Sequence, residues 1–313
     1  MGRRDPVCRL VGDFRGLVLA CVRTGDELCH IAGAGCPYTL PIAGEPLIGH
    51  ALRSLRHAGA AEVLIVVGAE ILEDVATAVG DPGVEIHYAV QLGADCESTA
   101  LRAARKTLGP GPLLVHLADS FLPSGLGEVR AGERRVYVHG DRVIAWTLDD
   151  LPDSAEALSP AAGGGGAERV QLEDARCYDG SVDGVLDANQ AALDELKRGR
   201  VGADLSKATV QGRVSIHPSA VLDGAKLRGP VSIGPGAVLV ETYVGPYTSI
   251  GADVRLEGVE IEHSIVMPRA TIRYPGRRLE ASLVGEGAQI GRDFSLPSAL
   301  RLRVGRSADI QLG

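Results

Sequence analysis

No tract of this sequence is basic enough to neutralise a line of phosphates. Thirty-two basic residues stand against forty acidic ones, a net charge of −8, whereas nucleic-acid affinity rests on counter-ion release by clustered cations. Nucleic acid is therefore not an expected partner. Long apolar runs are also missing. Stretches such as Val63 to Val67 fall far short of the roughly 20 residues that a spanning helix needs, and Arg3 and Arg4 are not followed by an apolar segment ending at a cleavage site. A soluble, cytoplasmic protein with no membrane partner is expected. The third absence is of paired cysteines. Cys8, Cys21, Cys29, Cys36, Cys96 and Cys177 contain no CxxC, which suits reduced thiols better than a disulfide frame. Cys21, Cys29, His30 and Cys36 are the one grouping that invites a metal. They lack the paired spacing of a zinc site and read as small apolar side chains in a loop.

What is present is a repeat. Ile216, Ile233 and Ile250 recur every seventeen residues, followed six residues later by Leu222, Leu239 and Leu256, and five after that by Leu227, Val244 and Ile261. This spacing turns one apolar side chain inward on each of three short strands, with Gly, Pro or Asp turns between them: one coil of a triangular, left-handed parallel β-helix. Each coil leaves its backbone unpaired until another stacks on it, so the coils share one continuous core. Weaker echoes at Val266, Ile272, Val284, Ile290 and Leu296 extend the helix towards the C-terminus.

The chain of 313 residues, 45% hydrophobic, can fill two cores. Before the repeat, apolar runs alternate with helical patterns: strands at Leu17 to Val22, Val63 to Val67, Val84 to Gln91 and Leu113 to Leu117, and helices at Pro46 to Ala58, Ile71 to Val79 and Glu97 to Leu108. Such alternation predicts a doubly wound, Rossmann-like parallel sheet, whose ligands sit beyond the carboxyl ends of the strands. Those ends fall at Ala20 to Thr24, Gly68, Gln91 and Asp119. After Asp119 the pattern dissolves. Arg135 to Val138 and Val143 to Trp146 suggest a small hairpin about Gly140-Asp141, Ser159 to Ala167 is glycine-rich, Asp149-Asp150 reads as a solvated turn, and Asp183 to Lys197 is an amphipathic helix. The division expected is an N-terminal tail over 1–15, an α/β domain over 16–200 with a linker at 159–167, and the β-helix over 208–313.

Gly16-Leu17-Val18-Leu19-Ala20, Leu40-Pro41-Ile42-Ala43-Gly44-Glu45-Pro46-Leu47-Ile48 and Ile65-Val66-Val67-Gly68 resemble the opening of the sugar-1-phosphate nucleotidyltransferases. Val244-Gly245-Pro246-Tyr247-Thr248-Ser249-Ile250, Glu260-Ile261-Glu262-His263-Ser264-Ile265-Val266 and the helix around Asp187-Ala188-Asn189 are similar to the long form of glucose-1-phosphate thymidylyltransferase. The resemblance runs over nearly the whole chain. It implies that a sugar 1-phosphate attacks the α-phosphorus of a nucleoside triphosphate and pyrophosphate leaves, a reaction catalysed by positioning and by neutralising charge. The expected parts are a glycine-rich turn, an Arg, a Lys, and Mg²⁺ held by carboxylates.

Measured against that family, several parts are altered. Its glycine-rich turn falls on Cys21-Val22-Arg23-Thr24-Gly25-Asp26-Glu27-Leu28, where side chains with a Cβ replace the leading glycines and Glu27 takes the place of the arginine. Its lysine falls on Pro37, beside Tyr38. Its second metal carboxylate falls on Tyr178, with Asp179 one residue away. Ala20, Arg23, Gly25 and Gln91 are the implied nucleotide contacts; Asp119 and Asp179 are the implied metal ligands, with Mg²⁺ expected only where nucleotide binding is retained. Read without the family, Gln91 is a solvated strand end and Asp119 a cap for its turn.

The altered parts suggest a catalytically impaired relative in sugar-nucleotide metabolism, binding a nucleotide or NDP-sugar as a regulatory or scaffold subunit, in a homo-oligomer or with an active paralogue. The rival reading is an active enzyme that rebuilds its phosphate site from Arg23, backbone N–H groups and Mg²⁺ on Asp119. A third makes the β-helix the working part, as a scaffold or as an acyltransferase with His217 or His263 as base; His217 reads more simply as a turn residue. Arg or Lys side chains arriving from elsewhere in the fold to line the crevice beside Asp119 would collapse the impaired reading.

Overall fold

The computed structural model describes residues 14–20, 27–32, 35–91, 96–127, 129–130, 132–155, 158, 166–196 and 202–292. The chain divides into two compact units, Met1–Thr24 with Leu47–Arg176, and Gly25–Pro46 with Cys177–Gly313.

The first unit is built on a seven-stranded sheet. From one edge to the other its strands are Glu168–Gln171, Arg135–His139, Arg142–Leu148, Leu113–Leu117, Phe14–Ala20, Ala60–Gly68 and Glu85–Gln91. The last four in that order run parallel, as the alternation of apolar runs and helices requires. Leu17 to Ala20 and Val63 to Val67 are buried on both faces, which explains their unbroken apolar character. Helices Leu47–His57, Leu72–Val79 and Cys96–Thr107 make the crossovers. On one side Leu17, Leu19, Leu64, Val66, Leu113, Val115 and Trp146 pack with Ala100 and Ala104 of the third helix and with Leu108 just beyond its end. Gly16 is fixed by close approach, since a Cβ there would lie 2.8 Å from Val63 Cγ2 and 3.2 Å from Leu55 Cδ1.

The region after Asp119 is more ordered than its sequence pattern suggests. Arg135–His139 and Arg142–Leu148 form the expected hairpin about Gly140-Asp141, but the hairpin is not separate: Arg142–Leu148 pairs antiparallel with Leu113–Leu117, so it extends the main sheet. Glu168–Gln171, which has no strong sequence signal, adds a parallel edge strand beside Arg135–His139. Most of the glycine-rich linker lies outside the described residues.

The second unit carries the left-handed parallel β-helix, as three five-stranded parallel sheets. Ile216, Ile233, Ile250, Val266 and Val284 stack in one; Leu222, Leu239, Leu256, Ile272 and Ile290 in the second; Val210, Leu227, Val244, Ile261 and Leu279 in the third. The echoes at Val266, Ile272, Val284 and Ile290 thus belong to the ladder; Leu296 lies outside the described residues. The period drops to sixteen between Ile250 and Val266 and rises to eighteen between Val266 and Val284, which is why the text weakens there. Corners stack too: Gly224, Glu241, Gly258 and Tyr274 all take positive φ, a backbone state that costs a non-glycine residue about 1–2 kcal/mol.

Helix Val182–Asp194 belongs to this unit. Ser181 caps it by accepting from the Gly184 N–H, and its apolar stripe of Val185, Ala188, Ala192 and Leu193 is interrupted by the fully buried Asn189. Asn189 Oδ1 accepts from Ala43 N–H at 2.8 Å and Ser249 Oγ at 2.6 Å, while Nδ2 donates to the Tyr247 carbonyl at 3.1 Å. The segment around Ala43 is thereby fastened within the β-helix unit.

Candidate functional site

In the first unit, pairing of Ala20 with Val67 and of Gly68 with Gln91 brings the carboxyl ends of three parallel strands level. Asp119 follows the fourth, Leu113–Leu117, whose turn is tied back by Ala118 N–H donating to the Leu19 carbonyl at 3.1 Å. Ala20, Gln91 and Asp119 therefore share the edge where doubly wound sheets bind ligands. Gln91 stands two strands from Ala20, roughly 10 Å at ordinary strand spacing. Ala20 is fully buried. Arg23 and Gly25 lie outside the described residues. Asp179 belongs to the other unit.

The main correction to the sequence reading is Arg142, which donates from Nη2 to Asp119 Oδ2. The sheet register explains the meeting. Leu113 opposes Leu148 and His116 opposes Ala145; continued by three residues, that antiparallel register sets Asp119 opposite Arg142, the first residue after the two-residue turn Gly140-Asp141. Ser120, not Asp119, ties the local turn, donating from its hydroxyl to the Leu117 carbonyl at 3.1 Å. Asp119 Oδ1 is buried and has no hydrogen-bond partner among the described residues. A cation thus does arrive beside Asp119 from elsewhere in the fold, and Arg23 is not the sole candidate for positive charge.

At the other positions that the sequence resemblance assigns to charged groups, neutral side chains are packed away. Pro37 opens a short 3₁₀ turn and is buried with Tyr38. Tyr178, at the second carboxylate position, is 8% exposed, with its hydroxyl 3.5 Å from Cys29 Sγ. Asp179 Oδ1 accepts from both the N–H and the hydroxyl of Ser181, at 2.9 and 2.8 Å, and so serves the start of helix Val182–Asp194.

These residues do not fit a bound Mg²⁺, which asks for carboxylate oxygens open to a largely hydrated ion. One Asp119 oxygen faces a guanidinium and the other is sealed; Asp179 holds a helix cap. Among the described residues no group of three His, Cys, Asp or Glu side chains could hold a metal ion. Within the suspected cysteine grouping, Cys29 and Cys36 are buried and His30 is exposed; Cys21 lies outside the described residues. Among the described residues no helix is long and apolar enough to cross a membrane.

His116 is a buried polar group that periodicity does not flag. Its Nδ1 lies 2.7 Å from the Leu117 carbonyl and its Nε2 has no hydrogen-bond partner among the described residues. Complete burial lowers its pKa to about 4, with the carbonyl opposing the shift. In the β-helix, His217 behaves as a turn residue: its Nδ1 accepts from the Ser219 N–H at 3.2 Å, and the Ser219 hydroxyl in turn accepts from Gly236 N–H at 2.9 Å. His263 lies against Tyr247, with ring centroids 5.1 Å apart and the planes tilted by 45°.

No family model matches the chain. It is 33% identical to the low-salt glycan biosynthesis nucleotidyltransferase Agl11 of Haloferax volcanii, over 94% of this chain and 99% of that protein. It is 27% identical to a glucose-1-phosphate thymidylyltransferase of Streptomyces griseus, over 96% and 99% of the two chains, and 23% identical to that of Streptomyces antibioticus, over the same shares. The three alignments run over 358, 356 and 357 residues, more than the 313 of this chain, so the relatives carry residues that it lacks.

Proposed function

Because the chain belongs to the sugar-1-phosphate nucleotidyltransferases, we propose that it binds a nucleotide or NDP-sugar in sugar-nucleotide metabolism while its own nucleotidyl transfer is impaired. The observation that carries this reading is the burial of neutral side chains where the reaction needs charge. The resemblance puts Pro37 at the lysine position, with Tyr38 beside it, and Tyr178 at a metal carboxylate, and all three are buried. Nucleotidyl transfer is catalysed by electrostatics held in place beforehand, and each missing stabiliser costs about 3 kcal/mol of barrier, or a hundredfold in rate. The losses act on one transition state and need not add. With turnover reduced, what is left to the fold is recognition, and the β-helix offers regular faces for assembly with like copies or an active paralogue in the cytoplasm.

A specific observation favours a second reading. Arg142 brings a cation to Asp119, as an active enzyme with a rebuilt phosphate site would require, and the relative from Haloferax volcanii is named a nucleotidyltransferase of glycan biosynthesis. The guanidinium is aimed at the carboxylate, however, so the pair carries no net charge. A thermal-shift screen of nucleoside triphosphates and NDP-sugars, run beside a pyrophosphate assay, separates the two. Stabilisation without pyrophosphate supports the binder; stabilisation with rapid pyrophosphate release supports the enzyme.

A further inference from the structure

We propose that one flat face of the β-helix pairs with the same face of a second copy of this chain, the two β-helices running antiparallel. The inference names the surface and the partner for the assembly proposed above, and holds whether or not the first unit binds a nucleotide.

The face is the sheet whose strands, in order along the axis, are Thr209–Gln211, Lys226–Arg228, Tyr243–Val244, Glu260–Glu262 and Leu279–Glu280. Val210, Leu227, Val244, Ile261 and Leu279 pack into the core, so the residues flanking them point outward. The register lines up Lys226, Tyr243 and Glu260 in one row and Glu262 with Glu280 in the other. Charge is thus sorted along the axis. The side chains of Lys226, Arg228 and Glu280 are exposed and have no ion-pair partner among the described residues. Arg278 meets Glu260 and Glu262 at 3.4 and 2.9 Å, but one guanidinium against these two carboxylates and Glu280 leaves that end net negative. Glu260 is also 61% exposed, open to a second cation. This order selects the orientation. With the β-helices parallel, cations would lie on cations, a juxtaposition that interfaces avoid. Turned antiparallel about the third strand, Lys226 and Arg228 face Glu260 and Glu262 of the second copy, and Tyr243 meets its own counterpart on the two-fold axis, a contact that closes on itself. Five strands spaced about 4.8 Å apart and three residues wide make a patch well below the roughly 800 Å² per partner of a standard interface. The pairing is therefore weak, reversible and screened by salt.

The test is sedimentation equilibrium of the full-length protein at low and high salt, with two charge-reversed variants: Lys226→Glu with Arg228→Glu, and Glu260→Lys with Glu280→Lys. The expected result is reversible self-association that weakens about tenfold or more at high salt and is lost in each variant alone. An equimolar mixture of the two variants, one face now acidic and the other basic, should associate again, and that recovery also shows that both are folded. Should reversal disturb the fold by circular dichroism, Lys226→Gln, which only removes a charge, replaces it and should weaken association about threefold; no weakening would overturn the proposal. A mixture of folded variants that stays unassociated would overturn it too. So would the absence of self-association by the unmodified protein at low salt. Association that persists unchanged in both variants would also overturn it, while leaving assembly through another face.

Discussion

Asn189 Oδ1 accepts a hydrogen bond from the Ser249 hydroxyl at 2.6 Å, with both side chains buried. The same amide meets Ala43 N–H and the Tyr247 carbonyl, so one polar side chain on an apolar helix face joins three separate stretches of the β-helix unit. Such a residue is kept in a core only because its partners would otherwise be stranded.

Asn189→Ala leaves the Ala43 N–H, the Ser249 hydroxyl and the Tyr247 carbonyl to find other partners, which should cost about 3 kcal/mol, while Ser249→Ala should cost about 1 kcal/mol. Urea denaturation is the measurement. A loss below about 0.5 kcal/mol in the Asn189 variant would show that the hub does not hold the unit together.

The buried His116 makes stability depend on pH. Its folded pKa, lowered to about 4 from 6.5, means that the unfolded chain binds a proton between those values and the folded chain does not. Stability from this group is therefore full above pH 6.5 and falls as pH drops towards 4, by about 3 kcal/mol in all. Denaturation curves at pH 7 and pH 4.5 should converge for His116→Leu relative to the unmodified protein; equal acid sensitivity of the two would remove His116 as a cause.

The β-helix should respond to truncation according to depth in the stack. Leu239 is fully buried, whereas Ile290 on the last described rung is 37% exposed. Leu239→Ala should cost about 3 kcal/mol, within the range for buried leucine, and Ile290→Ala less than about 1 kcal/mol. Thermal unfolding of the two variants checks the order, and a reversed order would contradict the stacking account.

The β-helix was the most legible part of the sequence because its period is covalent: every coil needs the same inward residue at the same count, as Ile216, Ile233 and Ile250 display. The four parallel strands were legible for a related reason, since burial on both faces leaves unbroken apolar runs. What periodicity could not show is pairing between distant strands. Arg142 stands beside Asp119 through a register set by the hairpin, and the only sequence signal was the Gly140-Asp141 turn that starts it. Asn189 could have been found as the one amide within the stripe Val185, Ala188, Ala192 and Leu193. The strand Glu168–Gln171 is short, polar and at an edge, and has no apolar pattern to reveal it.

The central claim is that the chain keeps the family's fold with nucleotidyl transfer impaired. Its most direct test is pyrophosphate release by the purified protein given Mg²⁺, glucose 1-phosphate and dTTP. The account predicts release slower than about 0.01 s⁻¹, a hundredth of the lower end of the 1–1,000 s⁻¹ typical of enzymes, and unaffected by Asp119→Asn. Release within that range, abolished by Asp119→Asn, would contradict it.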